Sequence, residues 1–169
     1  MDTVVSEVRC CLESGNYRAA LVLALTIPDI CGLVEHPEFR KKSKKRYVAW
    51  FNDHILVNYV KKFTPEGGVS ESYFDGDMCY SLRCKFLHEG NNRIDVNSIN
   101  LSGGKNCKFE FRLIVGGSDS YGRAIYNVPG YETVVVKRVT LSITDLCETL
   151  CSGAENFYKT RNKDDFINH

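Results

Sequence analysis

Two residues carry the chemistry most open to a reading from this chain. Arg83 and His88 stand five positions apart in Asp77-Met78-Cys79-Tyr80-Ser81-Leu82-Arg83-Cys84-Lys85-Phe86-Leu87-His88-Glu89-Gly90. An arginine presents a planar fork of donors that clamps a phosphate, and a histidine moves a proton near neutral pH. Together they suffice for cleaving a phosphodiester without a metal. His88 would take the proton from a ribose 2′-hydroxyl, or protonate the leaving oxygen, while Arg83 offsets the charge that grows on the phosphate. A 2′-hydroxyl nucleophile restricts such a site to RNA.

The spacing by itself carries little weight, because ten arginines and four histidines in 169 residues supply such a pair by chance. At about 100° per residue, five positions separate the two side chains by roughly 140° around a helix. Convergence then needs the reach of the arginine, an unwound last turn, or a second copy; a two-fold dimer brings two of each residue into one cleft. A structural account competes: Arg83 can pair with Asp29 or Glu35, and His88 can cap a helix end. Asp29 follows Pro28 within an apolar stretch, and a buried acid there points to an arginine partner. Ser81, Cys84 and Lys85 are the polar neighbours that could support Arg83.

The elements that must position these residues are legible as helices first and strands later. Val4, Val5, Val8, Cys11 and Leu12 recur at helical spacing over 3–14, and Gly15-Asn16 ends that helix. Asn16 is expected to cap a second, nearly all-apolar helix that Pro28 kinks or interrupts. A third helix is predicted over 43–63, with Tyr47, Trp50, Phe51, His54, Ile55, Val57 and Val60 inward, and 64–70 as a loop. The motif helix should cover about 75–89, capped by Asp75 or Asp77 and stopped at Gly90. After Gly90 the period falls to two. Residues 94–96, 107–115 and 133–141 read as strands of a small antiparallel sheet, with Gly116-Gly117 and Ser118-Asp119-Ser120 as turns. Thr144 is expected to cap a closing helix over 144–161, and the charged tail beyond it to fray. The chain is thus mainly α with a β insertion (α+β), a single domain over 1–169 with a helical core at 1–90 and a β-rich insertion at 91–143.

Composition narrows the setting. An apolar fraction of 43% supports a real core, and a net charge of +1 gives no global field for nucleic acid. Any polyanion site must therefore be local, and the basic run Arg40-Lys41-Lys42-Ser43-Lys44-Lys45-Arg46 is the candidate, against the plainer reading of a solvated helix start. No secretory leader and no bilayer-length apolar run is read, so the eight cysteines are expected as free thiols in a cytoplasmic chain without membrane contact. No metal site or cofactor is predicted: no Cys-x-x-Cys occurs, His36 and His54 read as a loop and a core residue, and the histidines are widely spread.

Arg83-Cys84-Lys85-Phe86-Leu87-His88, set in a fourth helix after a helical hairpin, resembles the hallmark of the HEPN superfamily: an arginine, four to six residues, then a histidine, late in an antiparallel four-helix bundle. The stretch from Cys79 to Gly90 also looks like that of bacterial HEPN-type proteins, and the resemblance covers about residues 1–90. It implies a homodimer with facing motifs and metal-independent endoribonuclease activity, often in toxin–antitoxin, phage-defence or RNA-processing systems, with an antitoxin or other protein as partner. By position it implies Arg83 and His88 as the catalytic pair. Cys84 stands where the family commonly has Asn, Asp or His, and a thiol is a weak donor. The alternative implied is an inactive member that binds RNA or nucleotide, or scaffolds a protein.

Overall fold

A computed structural model describes residues 2–60, 72–89, 93–97, 106–127 and 133–161, with the backbone alone at 88–89, 93–97 and 106–109. The expected 64–70 loop, the stop at Gly90 and most of the charged tail lie outside the described residues. The fold is mixed α and β, with six α-helices and one four-stranded sheet among the described residues.

Helices α1 (Asp2–Glu13) and α2 (Tyr17–Ala24) form the expected hairpin. Gly15 sits between them at φ +74°, a left-handed conformation that glycine adopts without steric cost. Asn16 makes no side-chain cap. Pro28 does more than kink a helix. It stands in the first turn of a separate helix, α3 (Ile27–Glu35), where its missing N–H costs nothing. The run Tyr17–Glu35 is long and apolar enough to cross a membrane, which corrects the expectation that no such run exists. Its apolar character has a use within the fold: α2 packs on α1 and α6, and α3 on α4 and α6.

Helix α4 (Ser43–His54) is shorter than predicted. A 3-10 turn over Leu56–Tyr59 replaces its last third. Asn58 supplies the reason, donating from both its backbone N–H and its side chain to the Ile55 carbonyl. Helices α3 and α4 approach until no side chain fits between them: a Cβ on Gly32 would lie 2.6 Å from the Arg46 carbonyl oxygen. Helix α5 (Gly76–Glu89) seats its first residue on α4 in the same way, with the Gly76 N–H donating to Asn52 Oδ1 at 2.9 Å. Asp75 is the cap, accepting from the Met78 N–H at 2.9 Å, while Asp77 pairs with Lys44.

Strands β1 (Arg93–Asn97), β2 (Asn106–Ile114), β3 (Ser120–Tyr126) and β4 (Val134–Ser142) lie in the order β1-β2-β4-β3. The sheet is mixed, correcting the antiparallel expectation: β2 and β4 run parallel, with Phe111 beside Val139 and Leu113 beside Leu141. The cause is insertion of β4 between β2 and the mostly exposed β3. Placed centrally, β4 buries Val135, Val136, Val139 and Leu141. Ser142, at the end of β4, also caps α6 (Ile143–Lys159) by accepting from the Asp145 N–H, which displaces Thr144 from that role. Helix α6 packs on α1, α2 and α3, so the closing helix joins the N-terminal helices in one core around Trp50, Leu21, Leu150 and Phe157.

Candidate functional site

Helices α3, α4 and α5 each bring one charged residue to a shared seam. Asp29 stands in the first turn of α3, Arg46 in the first turn of α4, and Arg83 at the middle of α5. Arg46 occupies the position four before Trp50, on the inner stripe of α4, and so turns inward from an otherwise exposed basic run. Its Nε donates to Asp29 Oδ1 at 2.9 Å, and its Nη1 donates to the carbonyls of Arg40 and Phe39 at 2.6 and 3.3 Å. Arg83 Nη2 lies 3.9 Å from Asp29 Oδ2, beyond hydrogen-bond reach. The anticipated Asp29–Arg83 pair is therefore present only as a loose contact, and Arg46 is the partner that holds the acid.

Arg83 is otherwise held by aromatic faces. Its guanidinium carbon is 5.7 Å from the Tyr47 ring centroid and 5.8 Å from that of Tyr80. Those two rings meet edge to face. Burial pushes the Tyr47 phenol well above its usual value, so its ring offers a neutral, electron-rich face. Arg83 Nε is buried and has no hydrogen-bond partner among the described residues. Two guanidinium groups thus share one carboxylate, leaving this seam with a local positive excess beside exposed Arg40, Lys41, Lys42, Lys44 and Lys45.

The other expected supporters disperse. Ser81 and Lys85 lie about 160° around α5 from Arg83, and Cys84 about 100°. The Ser81 hydroxyl donates to the Asp77 carbonyl of its own helix. Glu35 faces away from this seam: His54 Nε2 donates to its Oε2 at 2.8 Å, and Arg161 Nη2 to its Oε1 at 3.2 Å. His54 is the satisfied, Trp50-stacked histidine the sequence suggests. Helix α5 remains helical through Glu89, so its last turn does not unwind to swing His88 toward Arg83. The His88 side chain lies outside the described residues.

Sequence reasoning missed Arg46, hidden in a run of cations; its offset from Trp50 is the signal that could have found it. Tyr47 and Tyr80 were legible as helix residues and not as the rings that bracket Arg83. No family model matches the chain, and no similar curated protein or solved structure was found.

Proposed function

We propose that this chain is a metal-independent RNA endonuclease of the HEPN type, built on a helical bundle and acting as a homodimer with a composite site. The observation that supports this reading best is the state of Arg83: a half-buried guanidinium on the motif helix, backed by two tyrosine rings, with an unpartnered Nε and only a 3.9 Å contact to an acid that Arg46 already holds. The Nε itself is enclosed, so an incoming phosphate oxygen would meet the terminal amino groups of this fork, which its charge and geometry suit. The basic residues beside α4 would extend the contact along an RNA backbone. With the α5 backbone helical to Glu89, positions 83 and 88 stand roughly 140° apart around the helix, and a histidine from a second copy is the simplest way to complete the site. In this reading Arg83 binds the phosphate, and His88 is the general base or acid for 2′-hydroxyl attack.

A second reading has its own support. The packing of Arg83 against Tyr47 and Tyr80, with Cys84 as its neighbour in sequence, suits an inactive module that binds RNA or docks a protein, such as an antitoxin, without turnover. The experiment is a cleavage assay on structured and single-stranded RNAs in excess chelator, with wild type, His88→Ala and Arg83→Met. The nuclease reading expects products ending in a cyclic phosphate, made by wild type alone. Binding that depends on Arg83 without any cleavage would establish the second reading; cleavage that survives His88→Ala would sink the first.

A further inference from the structure

We propose that Glu35, His36 and Asp53 form a binding site for one divalent first-row transition ion at the junction of α3 and α4. This inference is independent of the proposed RNA chemistry. His36 ends α3 in a non-helical conformation, and that break turns its ring over the gap between the two helices. The ring is oriented from behind: Nδ1 lies 3.4 Å from Glu38 Oε1. With the ring proton on that side, the Nε2 lone pair faces Glu35 Oε2 at 3.8 Å and Asp53 Oδ2 at 3.9 Å. Nε2 is buried and has no hydrogen-bond partner among the described residues. A cation on the line between Nε2 and these two carboxylate oxygens relieves their repulsion, and it is either a proton on Nε2 or a bound metal ion; separations of 3.8 and 3.9 Å leave more room than a hydrogen bond needs and suit the ion.

The separations fit that cation. Both are too long for hydrogen bonds. The donor atoms of the three residues nevertheless all lie within 4.8 Å of one another. Imidazole nitrogen and carboxylate oxygen bind zinc at about 2.0–2.2 Å. Two such ligands on one ion sit about 3–4 Å apart, so an ion fits among the three atoms after a small closure. Outer contacts are also in place. His54 and Arg161 hold the two oxygens of Glu35, and Glu38 lies behind His36, contacts of the kind that orient metal ligands. The side chain of Asp53 is 61% exposed, which gives the ion a path from solvent and leaves room for water to complete its coordination. One imidazole with two carboxylates suits zinc, manganese, iron or cobalt rather than calcium, which takes six to eight oxygens.

The test uses the full chain, stripped with chelator and titrated with zinc against a chromophoric competitor, then with cobalt for its spectrum. One ion per chain is expected, with cobalt bands free of thiolate charge transfer. His36→Ala and Asp53→Asn should each weaken zinc by at least about 10-fold, the lower end of what outer-shell losses alone cause. At one zinc concentration the thermal midpoint of wild type should rise more than that of either variant. Asp53→Asn guards against misfolding, because its side chain is mostly in solvent. Unchanged affinity in both variants, a thiolate band marking cysteine ligands, or no stoichiometric binding at all would each overturn the proposal, the last making His36 part of a plain ion cluster.

Discussion

Replacing Asp29 with Asn keeps the shape of the side chain and removes the one anion shared by Arg46 and Arg83. Arg46 is the more buried of the two, at 12% side-chain exposure, and loses a charge-assisted bond of 2.9 Å. Removing one partner of a fully buried pair costs about 3–5 kcal/mol. Here the cost is smaller, because Asp29 is 24% exposed and Arg46 keeps its bonds to the Phe39 and Arg40 carbonyls. We expect about 2–3 kcal/mol, near the value of a hydrogen bond to a charged group plus residual repulsion. For a chain of this length that is a fall of about 5–10 °C in Tm. Arg83→Met keeps the stem against Tyr47 and Tyr80 and loses a 3.9 Å contact and a partly wet cation–π interaction, worth about 1 kcal/mol or less. Urea unfolding followed by the fluorescence of buried Trp50, the only tryptophan, reads both variants. If Arg83→Met cost as much as Asp29→Asn, Arg83 would be a locked structural residue and its availability to phosphate would be refuted.

Two further outcomes follow from charge and burial. Arg9 bonds Glu155 and Glu148 across the α1–α6 interface, and this holds the Glu155 carboxyl below its ordinary range. The stabilisation is therefore full above about pH 4.3, the ordinary Glu value, and is lost as pH falls through the lower folded value. Arg9→Ala should cost about 0.5–1 kcal/mol at pH 7, modest because all three side chains are more than a third exposed, and its unfolding curve should converge on wild type in acid. Thiol labelling at pH 8 with peptide mapping should find Cys10 fast and Cys31, Cys79, Cys147 and Cys151 silent until denaturant is added. Burial pushes Cys79 and Cys151 up to about 12 and raises Cys31 and Cys147 further, so their nucleophilic thiolates are scarce. Rapid labelling of those four in the native protein would contradict the core described above.

The helices were legible where the apolar period was strong and a local stop was present. The α1–α2 hairpin followed from the Val and Leu spacing and from Gly15, and the motif helix began at Asp75 because its carboxylate caps the N–H three residues on. The errors share one cause. The third helix was drawn too long because Val57 and Val60 continue an apolar stripe, while Asn58 ends the helix through bonds that periodicity does not register. The strand β3 was hidden because its residues are mostly exposed at the sheet edge, where alternation is weak.

The amino-acid sequence by itself determined that Arg83 and His88 share one helix, that the N-terminal half is helical, and that 107–115 and 133–141 are extended, because these depend on preferences expressed over a few neighbouring residues. The tertiary structure decided which partner each charge would find. Asp29 went to Arg46 rather than Arg83, Glu35 to His54 and Arg161, and His36 to a gap shared with Asp53. It also set β4 parallel to β2. Those choices rest on which helices can approach closely, as α3 and α4 do at Gly32, and on which strand slot buries the most valine and leucine. Both are sums over residues far apart in the chain, and no local pattern contains them.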